Sequence, residues 1–375
     1  MRFPSDPVDR RRLARLRLAE QILTGVPAAS PAEAVRWMLA MQGQDFPGAK
    51  WSIGLRSNST EVDVEATFDA GEIVRSWPMR GTLHLTAAED LPWMLSLTAS
   101  RAMAGAAQRR SALAITPDEI ERARELAIAA LPGGTTRTRA SLLEVIAAGG
   151  VSTAGQRGYH ILWSLAQSGT LVLGPTSGRE QTFGRLEAWV ANPRRLERDE
   201  ALGELAARYF RSHGPASVED LVRWSGLTVR DVRLGIAVAG TALATLEVGG
   251  KALLMGAEAH DLAAAIAAKE APVLLLPGFD EYVLGYKDRS AMLAPERSDV
   301  IVPGGNGMFK ATVVVDGEIV GTWGRKVGAN GVAVEPRPFE GRLPAGQVGR
   351  VREAVEQYGR FLGAAARLAG VIPDS

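Results

Sequence analysis

The 375-residue chain contains no cysteine. Disulfides, thiolate zinc sites, iron–sulfur clusters and a cysteine nucleophile are therefore excluded, which is compatible with a reducing cytoplasm. Histidine is scarce as well, and its four copies are scattered without the spacing of metal ligands: His84, His160, His213 and His260. We expect no bound metal and no cofactor.

Long apolar runs without charge are also missing, and the segment 1–6 opens into an arginine-rich stretch instead. We therefore expect neither a signal peptide nor a membrane span, and we expect a cytoplasmic, nucleoid-associated protein. The net charge is only +1, whereas most nucleic-acid-binding domains are more basic. Local arginine clusters, at 10–17 and 194–211, thus matter more than the total, although the second is interleaved with acids and also suits a solvated helix face.

A repeated pattern of helices followed by a short β-hairpin organises most of the chain. Ser30–Trp37 and Ser217–Trp224 both begin with a serine N-cap, carry an acid at N3 and end in Val-Arg-Trp. A divergent third copy has a helix capped by Thr116. A hairpin pattern follows each helical group, in Ile73–Trp77 with Gly81–Thr86, Thr170–Leu173 with Thr182–Leu186, and Leu243–Val248 with Ala252–Met255. This repetition predicts tandem winged helices.

The C-terminal part differs from these repeats. Val273–Leu276 has the composition of a buried strand, Asp316-Gly317 marks a hairpin turn, and a terminal helix is predicted from Val348 to Leu362. We predict an α+β fold with three winged-helix units, at residues 1–110, 111–193 and 194–271, followed by a β-rich unit with a closing helix at 272–375.

The most distinctive motif is Gln42-Gly43-Gln44-Asp45. Gln42 continues an apolar helical stripe, so we predict a helix that ends near Gly43 and an extended Phe46, which precedes a proline. Gln42 and Gln44 then point the same way in extended chain, with Asp45 beside them in a cleft. A core-facing amide needs hydrogen-bond partners or a function.

The first predicted hairpin supplies two further candidates, Arg80 and His84. Strand alternation places His84 on the face of Thr82 and Thr86, from which we expect it to look into the cleft of Gln42. The alternative is a histidine that serves only as a structural hydrogen-bonding group.

A turn-rich segment near the third hairpin alternates aromatic and charged residues, Phe279–Tyr282 and Tyr286–Arg289. Such a composition suits base stacking and phosphate contact, and equally an inter-domain seam with a salt-bridge network. A third alternative takes Asp280 and Glu281 as the paired carboxylates of a hydrolase, although the side chains of adjacent acids normally diverge.

Four ordered motifs, Gln42–Asp45, Arg80–His84, Tyr209–Trp224 and Phe279–Arg289, resemble the bacterial winged-helix DNA-binding family that includes the AlkZ type of DNA glycosylase. The resemblance spans nearly the whole chain. It implies three winged helices that form a concave DNA-binding surface, excision of N7-alkylated purines and, in some members, unhooking of interstrand crosslinks. In those enzymes two glutamines flanking one residue are catalytic. They map onto Gln42 and Gln44, whereas Gly43 replaces a larger aliphatic residue.

Amide side chains fit that substrate class. They cannot take up a proton near neutral pH, so Gln42 and Gln44 are not strong general bases. Their carbonyl oxygens can stabilise a sugar oxocarbenium ion and hold a water molecule, for on the order of 3 kcal/mol each. Such help suffices only when the base leaves easily, as a cationic N7-alkylpurine does. Asp45 either assists directly or serves as a cap or a partner of Lys50.

We therefore predict a metal-independent, monofunctional, monomeric DNA glycosylase for double-stranded DNA with alkylated purines, in self-resistance or repair. The catalytic candidates are Gln42, Gln44 and Asp45, and the DNA-binding candidates are Arg80, His84, Tyr286, Lys287 and Arg289. A non-catalytic DNA-binding regulator and a protein-interaction scaffold remain as alternatives. So does a Schiff-base enzyme using Lys50, a residue we otherwise expect to be solvated.

Overall fold

The computed structural model describes residues 7–178, 180–259, 272–328, 331–343 and 346–370. His260 and the segment 1–6 lie outside these ranges. Two compact units make up the chain. The first unit comprises Met1–Val64 and Leu202–Ser375, and the second unit comprises Glu65–Ala201. The predicted mixture of helices and strands is confirmed, while the division into four parts stays a prediction.

The first unit contains helices from the N-terminal and the C-terminal parts of the chain. The boundaries between the two units, at residues 64–65 and 201–202, lie inside two of these helices. Its helices are α1 (Pro7–Glu20), α2 (Pro31–Met38), α3 (Phe46–Ser57), α4 (Glu61–Asp69), α11 (Arg198–His213), α12 (Val218–Ser225), α13 (Val229–Ala239), α14 (Glu281–Leu284), α15 (Ser298–Ile301) and α16 (Val348–Leu362).

Two sheets belong to the first unit. A five-stranded sheet has the order β13-β12-β11-β10-β9, antiparallel except for the parallel pair β12 and β13, and β7 and β8 form a separate hairpin. The strands of this unit are β1 (Ala40–Gln42), β7 (Leu243–Val248), β8 (Lys251–Gly256), β9 (Val273–Leu276), β10 (Thr312–Val315), β11 (Glu318–Gly328), β12 (Gly331–Pro338) and β13 (Ala366–Leu368). The predicted turn Asp316-Gly317 is confirmed, with φ of 52° and 85°.

The second unit packs helices against a sheet of order β3-β2-β5-β6-β4. Its helices are α5 (Leu91–Gly105), α6 (Ala107–Ala112), α7 (Pro117–Ala130), α8 (Arg139–Ala148), α9 (Arg157–Gln167) and α10 (Leu186–Trp189). Its strands are β2 (Ile73–Met79), β3 (Thr82–Ala87), β4 (Arg137–Thr138), β5 (Leu171–Leu173) and β6 (Thr182–Arg185). All three predicted hairpins are thereby confirmed. The core contains Trp77, Trp163 and Phe183.

The predicted helix starts are confirmed by their caps. Ser30, Thr116 and Ser217 each accept a hydrogen bond from the backbone N–H three residues later. The backbone N–H of Thr116 and that of Ser217 also donate to the acid at N3, so a complete capping box forms at each. Helix entry at these places thus follows from local side-chain chemistry.

The predicted end of α2 is wrong. The helix stops at Met38, and Leu39 adopts a φ of 67°, a left-handed conformation that L-residues rarely take. Gln42 therefore ends the short strand β1 and does not continue a helical stripe. Phe46 is also not extended, because it begins α3 with Pro47 in the first turn, where proline is tolerated. In the part of the chain that the structure describes, no helix has the length and apolar character needed to cross a membrane.

Candidate active site

Gln42 lies at the end of β1 and is 8% exposed. Its backbone N–H donates a hydrogen bond to Glu281 Oε1 at 2.8 Å. Glu281 is itself buried, in the short helix α14. The backbone of Gln42 is thus hydrogen-bonded to a carboxylate from a distant part of the sequence.

The second carboxylate oxygen of Glu281 faces two rings. Trp224 Nε1 donates to Oε2 at 2.9 Å, and His213 Nε2 lies 3.5 Å from the same oxygen. On its other side, His213 Nδ1 is 2.8 Å from Ser212 Oγ. Glu281 therefore joins β1 to α11 and α12, the helices that carry His213 and Trp224.

The neighbouring acid, Asp280, serves a different group of residues. Its carboxylate forms a two-pronged ion pair with Arg56, at 2.9 and 3.0 Å, and both side chains are fully buried. It also accepts from Ser52 Oγ at 2.6 Å and caps α14 through the Tyr282 N–H at 2.9 Å. Because Asp280 and Glu281 diverge to separate partners, they do not form the paired-carboxylate site that was one alternative. The structure favours the salt-bridge network.

The remaining catalytic candidates occupy the start of α3. Gln44 is exposed, and Asp45 is half-buried at the N-cap position, where its side chain makes no cap hydrogen bond. Gly48 leaves room for this carboxylate, since a Cβ at that position would lie 2.5 Å from Asp45 Oδ2. The alternative role of Asp45 as a side-chain cap is therefore wrong.

Lys50 was expected to be solvated, and this expectation is also wrong. Only 7% of Lys50 is exposed, its Nζ is 2.5 Å from Glu61 Oε1, and it lies 5.4 Å from the centre of the Phe46 ring. An ion pair thereby joins α3 to the start of α4.

The DNA-binding candidates of the first unit occupy different environments. Tyr286 is fully buried, and its hydroxyl donates to the His213 carbonyl at 2.8 Å and accepts from Gln21 Nε2 at 3.1 Å. Burial raises the pKa of Tyr286 well above its ordinary value. The predicted DNA contact by Tyr286 does not agree with this position, because its ring presents no surface to solvent. Lys287 is exposed.

Arg289 is largely occupied within the protein. Its Nε donates to the Val283 carbonyl at 2.6 Å, and its guanidinium lies over the Phe309 ring at 5.0 Å. Desolvation by burial, with a smaller effect of Arg223, lowers the pKa of Arg289 to about 10. A structural role accounts for these contacts better than the predicted phosphate contact.

Arg80 and His84 lie in the β2–β3 hairpin of the second unit. Arg80 is exposed in the two-residue turn, with φ of 52°, and Gly81 follows with 67°. Arg80 Nη2 is 3.2 Å from His84 Nε2, and His84 Nδ1 is 2.8 Å from the Thr82 carbonyl. With Nδ1 donating to that carbonyl, Nε2 is the acceptor for Arg80. His84 is fully buried and thus has the contacts of a structural hydrogen-bonding group.

Sequence reasoning missed the contact between Glu281 and Gln42, and also the roles of Trp224 and His213. The available signals were the repeated Val-Arg-Trp ending of α2 and α12 and the family-like motifs that contain all three residues. None of these signals gives a distance. Among the residues that the structure describes, no group of three or more histidine, aspartate and glutamate side chains is arranged to hold a metal ion.

Comparison with known proteins is consistent with the resemblance. The sequence model of the family described as DNA glycosylase AlkZ-like matches residues 35–361. A curated relative from Streptomyces sahachiroi, named interstrand DNA cross-link repair glycosylase, is 28% identical over 345 residues, which are 88% of this chain and 90% of the relative.

The fold has a solved counterpart as well. The structure of Streptomyces sahachiroi DNA glycosylase AlkZ superposes with a TM-score of 0.78 at 26% identity, covering 96% of this chain and 99% of that one. The predicted resemblance and the predicted glycosylase class are both confirmed. Because the family match spans most of its length, the chain belongs to the AlkZ-like DNA glycosylase family.

Proposed function

We propose that the protein is a monofunctional glycosylase that excises N7-alkylated purines from double-stranded DNA, including bulky and crosslinking lesions. The observation that carries the proposal is the anchoring of Gln42, whose backbone is attached to a buried carboxylate. The name of the Streptomyces relative, which refers to interstrand crosslink repair, supports the crosslink part.

In this proposal the two glutamines act as fixed dipoles. The carbonyl oxygen of Gln42 stabilises the sugar oxocarbenium ion, and the exposed Gln44 holds the attacking water. Asp45 stabilises the cation from the start of α3, where its carboxylate is not used as a cap. No group in this set protonates the departing base. The substrate must therefore already carry the positive charge that makes the base a good leaving group.

The scaffold we propose is a set of three tandem winged helices, at 1–110, 111–193 and 194–271, with a β-rich part at 272–375. Support comes from the three hairpins β2–β3, β5–β6 and β7–β8, each of which follows a group of helices. Arg80 and Lys287 are the exposed cations among the predicted DNA-binding residues, and we propose that both contact phosphates.

The deciding experiment compares the wild-type protein with a Gln42→Ala, Gln44→Ala double variant. Each is incubated in excess with a duplex carrying one N7-methylguanine and with a duplex crosslinked through two guanine N7 atoms, and released base and abasic sites are measured over a single turnover. We expect the double variant to lose on the order of 10,000-fold in rate, since each dipole contributes roughly 3 kcal/mol, or about 100-fold.

The matched control is Gln347→Ala, which removes a half-buried glutamine at the start of α16. It should excise at the wild-type rate. Wild-type protein that releases no base, or a double variant with undiminished excision, contradicts the proposal. Strand cleavage without added alkali contradicts the monofunctional part and revives the alternative of Lys50 as a nucleophile.

A further inference from the structure

Glu281 is a buried residue whose side chain accepts hydrogen bonds from donors that lie far from it in sequence. It is 1% exposed, and its two oxygens accept from the Gln42 N–H and from Trp224 Nε1. Burying a carboxyl group is unfavourable unless hydrogen bonds compensate for the lost water. The Gln42 N–H and the Trp224 indole supply that compensation.

The helix that carries Glu281 is itself fixed at both ends. Asp280 caps its start and is paired with Arg56. At its end, Tyr209 Oη donates to the Gly285 carbonyl at 2.7 Å. A Cβ at Gly285 would lie 2.6 Å from His213 Cδ2, so the absence of a side chain allows the imidazole to lie directly against α14.

The chain around Gln42, by contrast, consists of a short strand followed by a glycine. β1 is three residues long, and the residue after Gln42 is glycine, which restricts the backbone least. A hydrogen bond to the Gln42 N–H therefore fixes the point from which the glutamine side chain extends. Misplacing a catalytic group by about 1 Å can cost on the order of 100-fold in rate.

We propose that Glu281 is a positioning residue for the glycosylase reaction, and that it orients Gln42 through the backbone N–H. The role rests on the proposed function of Gln42. Glu281 touches neither the lesion nor the water in this assignment. The Trp224 indole N–H bonds to the second carboxylate oxygen of Glu281. The first oxygen therefore stays directed at the Gln42 N–H.

A double-mutant cycle tests this role. Glu281→Gln keeps the size of the side chain but has only one acceptor oxygen. Its amide group must then face either the Trp224 N–H or the Gln42 N–H, donor against donor. Trp224→Phe removes the first of these donors. In the double variant the amide oxygen is free to turn to Gln42 again.

We expect Glu281→Gln to lower the single-turnover excision rate of N7-methylguanine by about 10- to 100-fold. Duplex affinity should change less than twofold. The double variant Glu281→Gln, Trp224→Phe should recover at least part of the lost rate. Glu318→Gln, an exposed glutamate of the same unit at the start of β11, is the matched control and should behave as wild type.

A purely structural role gives a different pattern. Trp323→Phe removes a buried hydrogen bond to the Leu276 carbonyl, a bond that involves neither Gln42 nor Glu281, and it calibrates how far the rate falls when thermal stability falls. The positioning role is overturned if Glu281→Gln excises at the wild-type rate. It is equally overturned if its loss of rate matches that of Trp323→Phe at equal loss of stability, or if the double variant recovers nothing. If Glu281→Gln alone fails to fold, the double variant decides by the same measurement.

The Gln42→Ala, Gln44→Ala variant distinguishes failure of the positioning role of Glu281 from failure of the proposed glycosylase function. An inactive Gln42→Ala, Gln44→Ala protein together with a fully active Glu281→Gln protein removes the positioning role alone. A Gln42→Ala, Gln44→Ala protein that keeps its excision activity contradicts the proposed function itself.

Discussion

The two regions that carry candidate residues are built in opposite ways. The Gln42 N–H in the first unit meets a carboxylate 239 positions further along the chain. In the second unit, Arg80 reaches His84 four positions away, and His84 reaches Thr82 two positions away. The contact at Gln42 is therefore a product of tertiary packing, whereas these contacts of the hairpin candidates are local.

This difference predicts how each region responds to substitution. Beneath Gln42 the charges of Asp280 and Arg56 are fully buried, so losing one partner leaves the other in a medium that solvates it poorly. Arg80 is exposed, so water replaces whatever contact it loses. Substitution of the buried pair in the first region should alter stability and geometry together, and substitution of Arg80 in the second should alter DNA affinity alone.

The largest effect is expected for Arg56→Leu. The substitution strands the buried Asp280 carboxylate and should lower the free energy of unfolding by roughly 3 to 5 kcal/mol. Urea denaturation followed by circular dichroism measures the change.

Two companion variants sharpen that result. Adding Asp280→Asn removes the stranded charge but leaves a side-chain oxygen to cap α14, so most of the stability should return. Arg122→Ala breaks a surface ion pair with Glu125 in the second unit and should cost less than about 1 kcal/mol. Equal costs for Arg56→Leu and Arg122→Ala would remove the contrast between buried and exposed charge.

A second prediction concerns pH and Glu20, a buried carboxyl at the end of α1. Burial raises the pKa of Glu20 from 4.5 to about 8, although Arg211 partly opposes the shift. Between pH 4.5 and 8 the unfolded chain has released this proton and the folded chain retains it. Folding stability should therefore fall as pH rises through this window, by up to about 1.4 kcal/mol per pH unit.

Glu20→Gln should flatten that dependence and stabilise the protein near pH 8, with little effect near pH 4.5. Thermal midpoints recorded at several pH values test it. The Trp37 indole donates to the backbone carbonyl of Glu20, a bond that the substitution leaves in place. Identical pH profiles for wild type and variant would contradict the assigned pKa.

The smallest effect on folding is expected for Arg80→Gln. Stability should stay within about 0.5 kcal/mol of wild type, because the side chain is exposed and the turn keeps its backbone conformation. Duplex binding should weaken. The slope of log K against log salt should become shallower by about 0.9, as expected for the loss of one phosphate contact. Mobility shifts across salt concentrations provide the measurement, with Lys287→Gln as the counterpart in the first unit. An unchanged slope for both variants would remove these residues from the DNA interface.

Local chemistry explains which elements could be predicted. The predicted turn Asp316-Gly317 is confirmed because its residues adopt the positive φ that such hairpins require, and Gly249-Gly250 joins β7 to β8 in the same way. Thr116 and Ser217 are confirmed as caps because each bond spans three residues. These features need no knowledge of the rest of the chain.

The wrong predictions share another cause. The apolar run Met38–Met41 fits both helical and strand periods, and the left-handed turn at Leu39 has no signal in its residue type. Tyr286 was expected to contact DNA, and Lys50 was expected to be solvated. Both are buried, because distant segments cover them and supply partners, Gln21 for the tyrosine and Glu61 for the lysine.

The sequence by itself determined the family, the hairpins and the helix caps, and it led to the proposal that two catalytic amides limit the substrate to bases that leave easily. Only the tertiary structure decided that Gln42 is held by Glu281, that Gln44 is exposed, and that Asp280 and Glu281 serve separate partners. The physical reason is range. Turns and caps are settled within a few residues, whereas a buried carboxylate is stabilised only by donors that folding brings to it from elsewhere in the chain.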